Sequence, residues 1–279
     1  MPHNDENTAD HYDLIIIGSG SANAIPEYLS DWRIAIVERG TFGGTCLNVG
    51  CIPSKMFVLT AEMAEEANHS NRLGIDVRFH GADWAAIRDR VFSRIDPIAE
   101  SGRQYRATGS ENITLIEGTA RFTGPKVLDI EGKRYTADHI LIGAGSRPVV
   151  PPIPGLVETG FHTSDSIMRL DELPERLGII GGGYIAVEMG HVFASFGSKV
   201  SLFNRSHVLL RAQDAEIAER FTEVFSQRVD VHLEHMPSKI ERRGDAIAIH
   251  CMGEVTEVDQ LLVATGREPN SDLLDVEIG

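Results

Sequence analysis

Residues 12–40, YDLIIIGSGSANAIPEYLSDWRIAIVERG, decide the fold. The unbroken apolar run at 14–17 suits a strand buried on both faces, and it leads directly into Gly18 and Gly20. A second apolar run at 34–37 ends on Glu38, twenty residues after Gly18. Strand, glycine turn, helix and strand in that order make the phosphate-binding half of a Rossmann unit. The glycines admit a tight bend and bring helix-terminal N–H groups against a pyrophosphate, and the carboxylate accepts ribose hydroxyls. Asn23 stands at the third glycine position and Pro26 shortens or kinks the expected helix, so the fingerprint is imperfect.

Residues 177–206, LGIIGGGYIAVEMGHVFASFGSKVSLFNRS, repeat the plan with a cleaner fingerprint in Gly181, Gly183 and Ala186. The two first glycines lie more than a hundred residues apart, too far for a solenoid and right for two nucleotide-binding domains. The expected fold class is therefore α/β with two Rossmann-like dinucleotide-binding domains. Residues 44–68 and 83–108 read as helices, the second with Trp84, Ile87, Val91 and Ile95 at helical spacing. Residues 113–124 and 126–145 read as strands with a hairpin turn at Glu131-Gly132. The proline-rich SRPVVPPIPG at 146–155 is an extended connector, and 234–266 is strand-rich with turns at Arg243-Gly244 and Met252-Gly253. The expected organisation is a tail at 1–11, a first domain at 12–150, a second at 151–267, and a return to the first at 268–279.

The composition narrows the function. With 26 basic against 41 acidic side chains the formal charge is -15, which disfavours nucleic acid and anionic membranes. No apolar stretch approaches the roughly 18 residues of a membrane helix, and the first residues lack a secretory pattern. Three cysteines in 279 residues argue against a disulfide-stapled scaffold and for a cytoplasmic protein.

Two of those cysteines stand in GGTCLNVGCIPSK, residues 43–55. Five positions of ideal helix climb about 7.5 Å, beyond the usual Cα separation of a disulfide, so Cys46 and Cys51 can bridge only if the backbone departs from a helix. Gly50 supplies that freedom, Gly43 and Gly44 allow close approach to a bound ring or phosphate, and Pro53 suits a first helical turn. A helix starting here favours a thiolate at its positive end, and Lys55 adds to the field. A zinc site needs two further ligands at metal spacing, which the neighbourhood does not offer. A structural disulfide or two unrelated buried thiols are the other readings, and Cys251 in IHCMG reads as a core residue.

In the second fingerprint the strand KVSLFNR ends on Asn204 where a carboxylate usually marks NAD, and Arg205 and Arg211 follow. Guanidinium groups there suit the 2'-phosphate of NADPH, although solvated arginines at a strand end are common.

The loop GGTCLNVGCIPSK resembles the redox signature of the pyridine nucleotide-disulphide oxidoreductases, the family that includes glutathione reductase and dihydrolipoamide dehydrogenase. GSGSAN at 18–23, RIDPIAESGRQYR at 94–106 and FHTSDSIMRLDELPE at 161–175 extend the resemblance over nearly all of residues 12–279. The resemblance implies FAD on the first domain and NADPH on the second, inserted one. It implies NADPH-driven reduction of a low-molecular-weight disulfide through a Cys46-Cys51 redox disulfide, Cys46 meeting the substrate and Cys51 the flavin. By the same resemblance Gly18, Gly20, Ser21, Glu38, Gly44, Thr45, Lys55, Ala120, Gly145 and Ser164 serve FAD. Gly181, Gly183, Tyr184, Ile185, Glu188, Arg205, Arg211 and Gly266 serve NADPH, with Tyr184 covering the flavin and Glu188 paired with Lys55. No resident metal is implied. Family members continue for more than a hundred residues into a homodimer-forming domain that carries the acid-base histidine. A dihydrolipoamide dehydrogenase or glutathione reductase-like reaction, or a nucleotide-binding fragment without turnover, are the alternative expectations.

Overall fold

Asp10 and His11, expected to end a frayed tail, instead begin the first strand, because their backbones pair with Tyr135 and Thr136. The computed structural model describes residues 9–279, so the rest of the expected tail, residues 1–8, lies outside the described residues. By internal contacts the chain forms two compact units. One comprises the chain up to Asn48, Ser93–Arg147 and Glu268–Gly279; the other comprises Val49–Phe92 and Pro148–Arg267.

The first unit is built on β1 (Asp10–Ile17), β2 (Ile34–Glu38), β3 (Ile113–Glu117), β4 (Ala120–Gly124), β5 (Val127–Ile130) and β6 (Lys133–Ile142). They form one sheet in the order β3-β2-β1-β6-β5-β4, parallel from β3 to β6 and antiparallel beyond. The apolar run of β1 is continuous because both its faces are covered. Ile15 and Ile17 pack with Phe122, Leu128 and Ile130, whereas Ile16 packs with Ile34, Ile36 and Phe42. Glu131 and Gly132, at φ 50° and 81°, make the expected hairpin turn between β5 and β6.

The helix expected after Gly18 is absent. In its place are two 3-10 turns, Ser21–Asn23 and Glu27–Leu29. Pro26 has no amide hydrogen for an α-helical bond and its ring would meet the carbonyl of residue 22, which disfavours a helix here, although the longer helix over 84–108 does run through Pro97. The first turn is braced from outside, since Arg106 Nη2 donates to the Asn23 carbonyl at 3.0 Å.

The helix expected over 44–68 is split into α1 (Gly44–Asn48) and α2 (Cys51–Asn68), with the break at Val49 and Gly50. The third helix, α3 (Trp84–Thr108), starts in the second unit and continues into the first. The chain passes from the first unit to the second along β7 (Ser146–Pro148).

The second unit holds α4 (Leu156–Thr159), β8 (Arg176–Ile180), α5 (Tyr184–Ser195), β9 (Lys199–Asn204), α6 (Ala215–Phe225) and β10 (Asp230–Leu233). After these come β11 (Lys239–Arg243), β12 (Ala246–Cys251), β13 (Glu254–Val258) and β14 (Gln260–Val263), and β15 (Arg267–Pro269) leads back to the first unit. Strands β10-β9-β8-β14 form a parallel sheet and β11-β12-β13 an antiparallel one. Helices α2 and α5 pack together, and around them Trp84 stacks on Phe57 at 5.3 Å and Phe193 at 5.1 Å while its indole N–H donates to the Leu170 carbonyl at 2.7 Å. The Glu65 carboxylate joins them, accepting from Arg228 at 2.6 Å and from the Ser195 hydroxyl at 3.2 Å.

Two half-buried histidines of this unit are harder to protonate than free imidazoles. Burial lowers the pKa of His191, with Arg228 adding to the effect, and burial lowers that of His162 against the hydrogen bond to Gln260. A depressed histidine means that the unfolded chain takes up the proton first. Their contribution is whole above the unfolded value, near 6.5, and is lost as pH falls through the folded values. Thermal unfolding followed between pH 7 and 5 should therefore show a falling midpoint, and H162N combined with H191N should flatten that slope.

Candidate active site

The glycine turn after β1 is fixed by close backbone packing. Gly18 has φ 105°, and a Cβ on it would lie 2.2 Å from the Gly143 carbonyl oxygen at the end of β6. Ser19, 1% exposed, organises everything around it. Its backbone N–H and its hydroxyl both donate to Glu38 Oε2, at 2.9 and 2.6 Å, and its Oγ accepts from Gly43 N–H at 2.9 Å. The other carboxylate oxygen of Glu38 accepts from Gly40 N–H at 2.8 Å. The carboxylate is thus oriented, with Oε2 fully engaged by Ser19 and Oε1 keeping a lone pair for a ribose hydroxyl. The sequence reading named Gly18, Gly20, Ser21 and Glu38 but missed Ser19; a small hydroxyl residue between two glycines was the available signal.

Gly44 packs directly on this turn, and a Cβ there would lie 2.6 Å from Gly20 Cα. Ser21 and Thr45 are exposed beside it. Ala120 is 3% exposed with its side chain in the sheet core, so it offers only backbone to a ligand. Gly145 O accepts from Asn270 N–H at 3.0 Å, and the Asn270 amide donates to Ala144 O at 2.8 Å. Asn270 also went unnoticed in the sequence.

Cys46 lies within α1 and Cys51 is the first residue of α2; both are exposed and both are disulfide-bonded. Cys251 is the free thiol, 4% exposed, its pKa pushed up by burial and by Glu254. No side chain caps the 18-residue α2, whose positive end therefore stands at Cys51. Lys55, one turn along, is exposed. Among the described residues no group of three or more His, Cys, Asp or Glu side chains is placed to hold a metal.

The second fingerprint is built like the first. A Cβ on Gly181, at φ 133°, would lie 2.2 Å from Ala264 O. Gly183 caps α5 without a side-chain hydrogen bond, and a Cβ on it would meet nothing within 4 Å. An uncapped helix N-terminus beneath open space fits a pyrophosphate. Ala186 is fully buried, Ile185 and Glu188 are half-buried, and Tyr184 is 63% exposed. Among the described residues no ion pair joins Glu188 to Lys55.

Asn204, 6% exposed, has a structural task that a carboxylate could not perform. Its amide donates to Ser206 O at 3.1 Å and Val208 O at 2.8 Å, shaping the loop that presents Arg205 and Arg211, both exposed. Gly266, at φ 139°, precedes Arg267, which donates to Ser164 Oγ at 3.0 Å and Asp165 at 3.3 Å.

The first unit thus gathers Gly18, Gly20, Ser21, Glu38, Gly44, Thr45, Cys46, Ala120 and Gly145. The second gathers Cys51, Lys55, Ser164, Gly181, Gly183, Tyr184, Ile185, Glu188, Arg205, Arg211 and Gly266.

Comparison with known proteins agrees with this geometry. The family model for pyridine nucleotide-disulphide oxidoreductases, enzymes that use FAD and NAD(P)H, matches residues 12–279. Mycothione reductase of Mycobacterium tuberculosis is 45% identical over 275 residues, 95% of this chain and 60% of that protein. Mercuric reductase of Staphylococcus aureus is 35% identical over 281 residues, 98% of this chain and 51% of that protein. The HOCl-induced flavoprotein disulfide reductase RclA from Escherichia coli, a solved structure, superposes with a TM-score of 0.83 at 31% identity, covering 96% of this chain and 59% of that one. The chain therefore spans between about half and three fifths of the length of these relatives. On the match of residues 12–279 and on the two glycine turns it explains, the chain belongs to the pyridine nucleotide-disulphide oxidoreductase family.

Proposed function

We propose that the protein to which these residues belong reduces a low-molecular-weight disulfide, mycothione, using NADPH and FAD, through a redox disulfide between Cys46 and Cys51. The observation that carries this reading is the oxidised state of both cysteines in a loop packed on a nucleotide turn, with Cys51 at the uncapped start of α2. Support for the substrate is the 45% identity to a mycothione reductase.

FAD, when bound, would supply two-electron redox chemistry between the reduced pyridine nucleotide and the disulfide. The rest is thiol chemistry. Reduction opens the Cys46-Cys51 bond to two thiols, one held as thiolate. The Cys46 thiolate attacks one sulfur of the substrate; its S–S bond breaks, and the departing thiolate takes a proton to leave as the first thiol product. The Cys51 thiolate, stabilised at the N-terminus of α2, then attacks Cys46. That step re-forms the intrachain disulfide and releases the second thiol, so two electrons and two protons enter for each substrate disulfide cleaved. Glu38, set by Ser19 and Gly40, would hold a ribose, and the open end of α5 would hold a pyrophosphate.

Arg205 and Arg211 supply the charge for a 2'-phosphate. Replacing both with alanine should lower kcat/KM for NADPH by about 10- to 100-fold, the worth of charged hydrogen bonds of about 1.5–3 kcal/mol, and leave NADH nearly untouched. Steady-state kinetics of the full-length enzyme with both coenzymes is the check. An equal loss for both would remove the phosphate-binding role.

A further inference from the structure

Asn48 stands between the two redox cysteines and is 6% exposed, an unusual position for an amide side chain. Its Nδ2 donates to Phe42 O at 2.9 Å and Gly44 O at 3.0 Å, and reaches Thr41 O at 3.5 Å. Its Oδ1 is buried with no hydrogen-bond partner. Three carbonyls around the nitrogen fix the amide orientation, because exchanging the two atoms would set an acceptor against acceptors. A buried orphan oxygen is unfavourable, so what the nitrogen does must outweigh it.

The carbonyls that the amide gathers belong to the segment 41–44. That segment is tied at its other side to the nucleotide turn, by Gly43 N–H to Ser19 Oγ and by the contact of Gly44 on Gly20. Asn48 is also the last residue of α1, immediately before the break at Val49 and Gly50. A five-residue helix is shorter than an isolated helix can sustain, so α1 depends on ties of this kind beyond its own backbone bonds.

We infer that Asn48 is a positioning residue for the redox pair: its amide locks α1 onto the 41–44 segment and so fixes the bend that keeps Cys46 within bonding range of Cys51. The inference rests on the redox disulfide proposed above. Loosening the clasp lowers the effective concentration of one thiol at the other, and the disulfide becomes easier to open. In a glutathione buffer the balance is two glutathione thiols oxidised to one glutathione disulfide for each Cys46-Cys51 bond reduced to two thiols.

The test is that equilibrium, read in the full-length protein by alkylation and intact mass, with no turnover required. N48L, similar in volume but without donor or orphan, should shift the equilibrium about tenfold toward the dithiol, equivalent to ~30 mV for a two-electron couple. N48S, whose smaller side chain leaves room for water, should shift it in the same direction and guards against a misfolded leucine variant. I36V in the core of the same unit, a control for general loss of stability, should leave it unchanged. A wild-type equilibrium retained within twofold by N48L and N48S overturns the role of Asn48 and leaves the redox disulfide standing, and an equal shift in I36V does the same. If the wild-type bond resists dithiothreitol in the folded protein, both the redox disulfide and the positioning role are overturned.

Discussion

Changing Cys46 to serine in the full-length, flavin-loaded protein is expected to cut disulfide turnover by at least about a thousandfold, and changing Cys51 to serine is expected to do the same by a different route. A hydroxyl at either position cannot form the intrachain disulfide, so neither variant can store the electron pair. The two should differ in what they accumulate. In C51S the Cys46 thiolate still attacks the substrate but nothing resolves the product, so a mixed disulfide builds up and intact mass spectrometry finds half a substrate added to Cys46. In C46S the attacking group is gone and no such adduct should form at comparable rate. An adduct on Cys51 in C46S, with none in C51S, would exchange the two roles. Turnover spared in either variant would sink the redox-pair reading altogether.

The parts of this design that were legible in the sequence are those written in local chain geometry. The apolar run into Gly18 and the spacing to Glu38 mark a strand, a forced turn and a second strand edge, and β1 and β2 follow them. Cys46 and Cys51 could bridge only if the helix expected over 44–68 were interrupted, and the interruption falls at Val49 and Gly50. The first glycine turn was read as leading into a helix because the template outweighed Pro26, which disfavours one.

Less legible were residues whose work is tertiary. Ser19 acts through hydrogen bonds to Glu38 and Gly43, and Asn48 through hydrogen bonds to carbonyls of residues 41–44, none of which an apolar pattern records. Asn204 was visible as a missing carboxylate, yet its bonds to Ser206 and Val208 carbonyls explain why an amide stands there, since a carboxylate has no N–H to donate. Nor could apolar periodicity assign residues 49–92 to a unit. It shows that Phe57 and Trp84 are buried; it does not show that Trp84 packs against Phe193.

Gly18 carries the second large effect. A residue at φ 105° lies outside even the left-handed region open to asparagine, and a Cβ there would sit 2.2 Å from Gly143 O, on backbone that cannot rotate away. To make room, the end of β1 must part from that of β6, breaking the bond from Gly143 N–H to Ile17 O at 2.8 Å and pulling Ser19 off Glu38. Strain of about 1–3 kcal/mol and an unsatisfied buried backbone group of similar worth place G18A at about 3–5 kcal/mol of lost stability, read by denaturant unfolding. Gly183 is the instructive partner. Its φ of -87° is ordinary and a Cβ on it would meet no protein atom within 4 Å, so G183A should unfold within about 1 kcal/mol of wild type. The same methyl would stand over the open end of α5, where a pyrophosphate must approach the amides, and should raise the KM or Kd for the pyridine nucleotide several-fold. Stability lost at Gly18 and binding lost at Gly183 would separate the glycine that makes the fold from the glycine that makes the site. If G183A bound nucleotide as tightly as wild type, the space above α5 would not be where the phosphates lie.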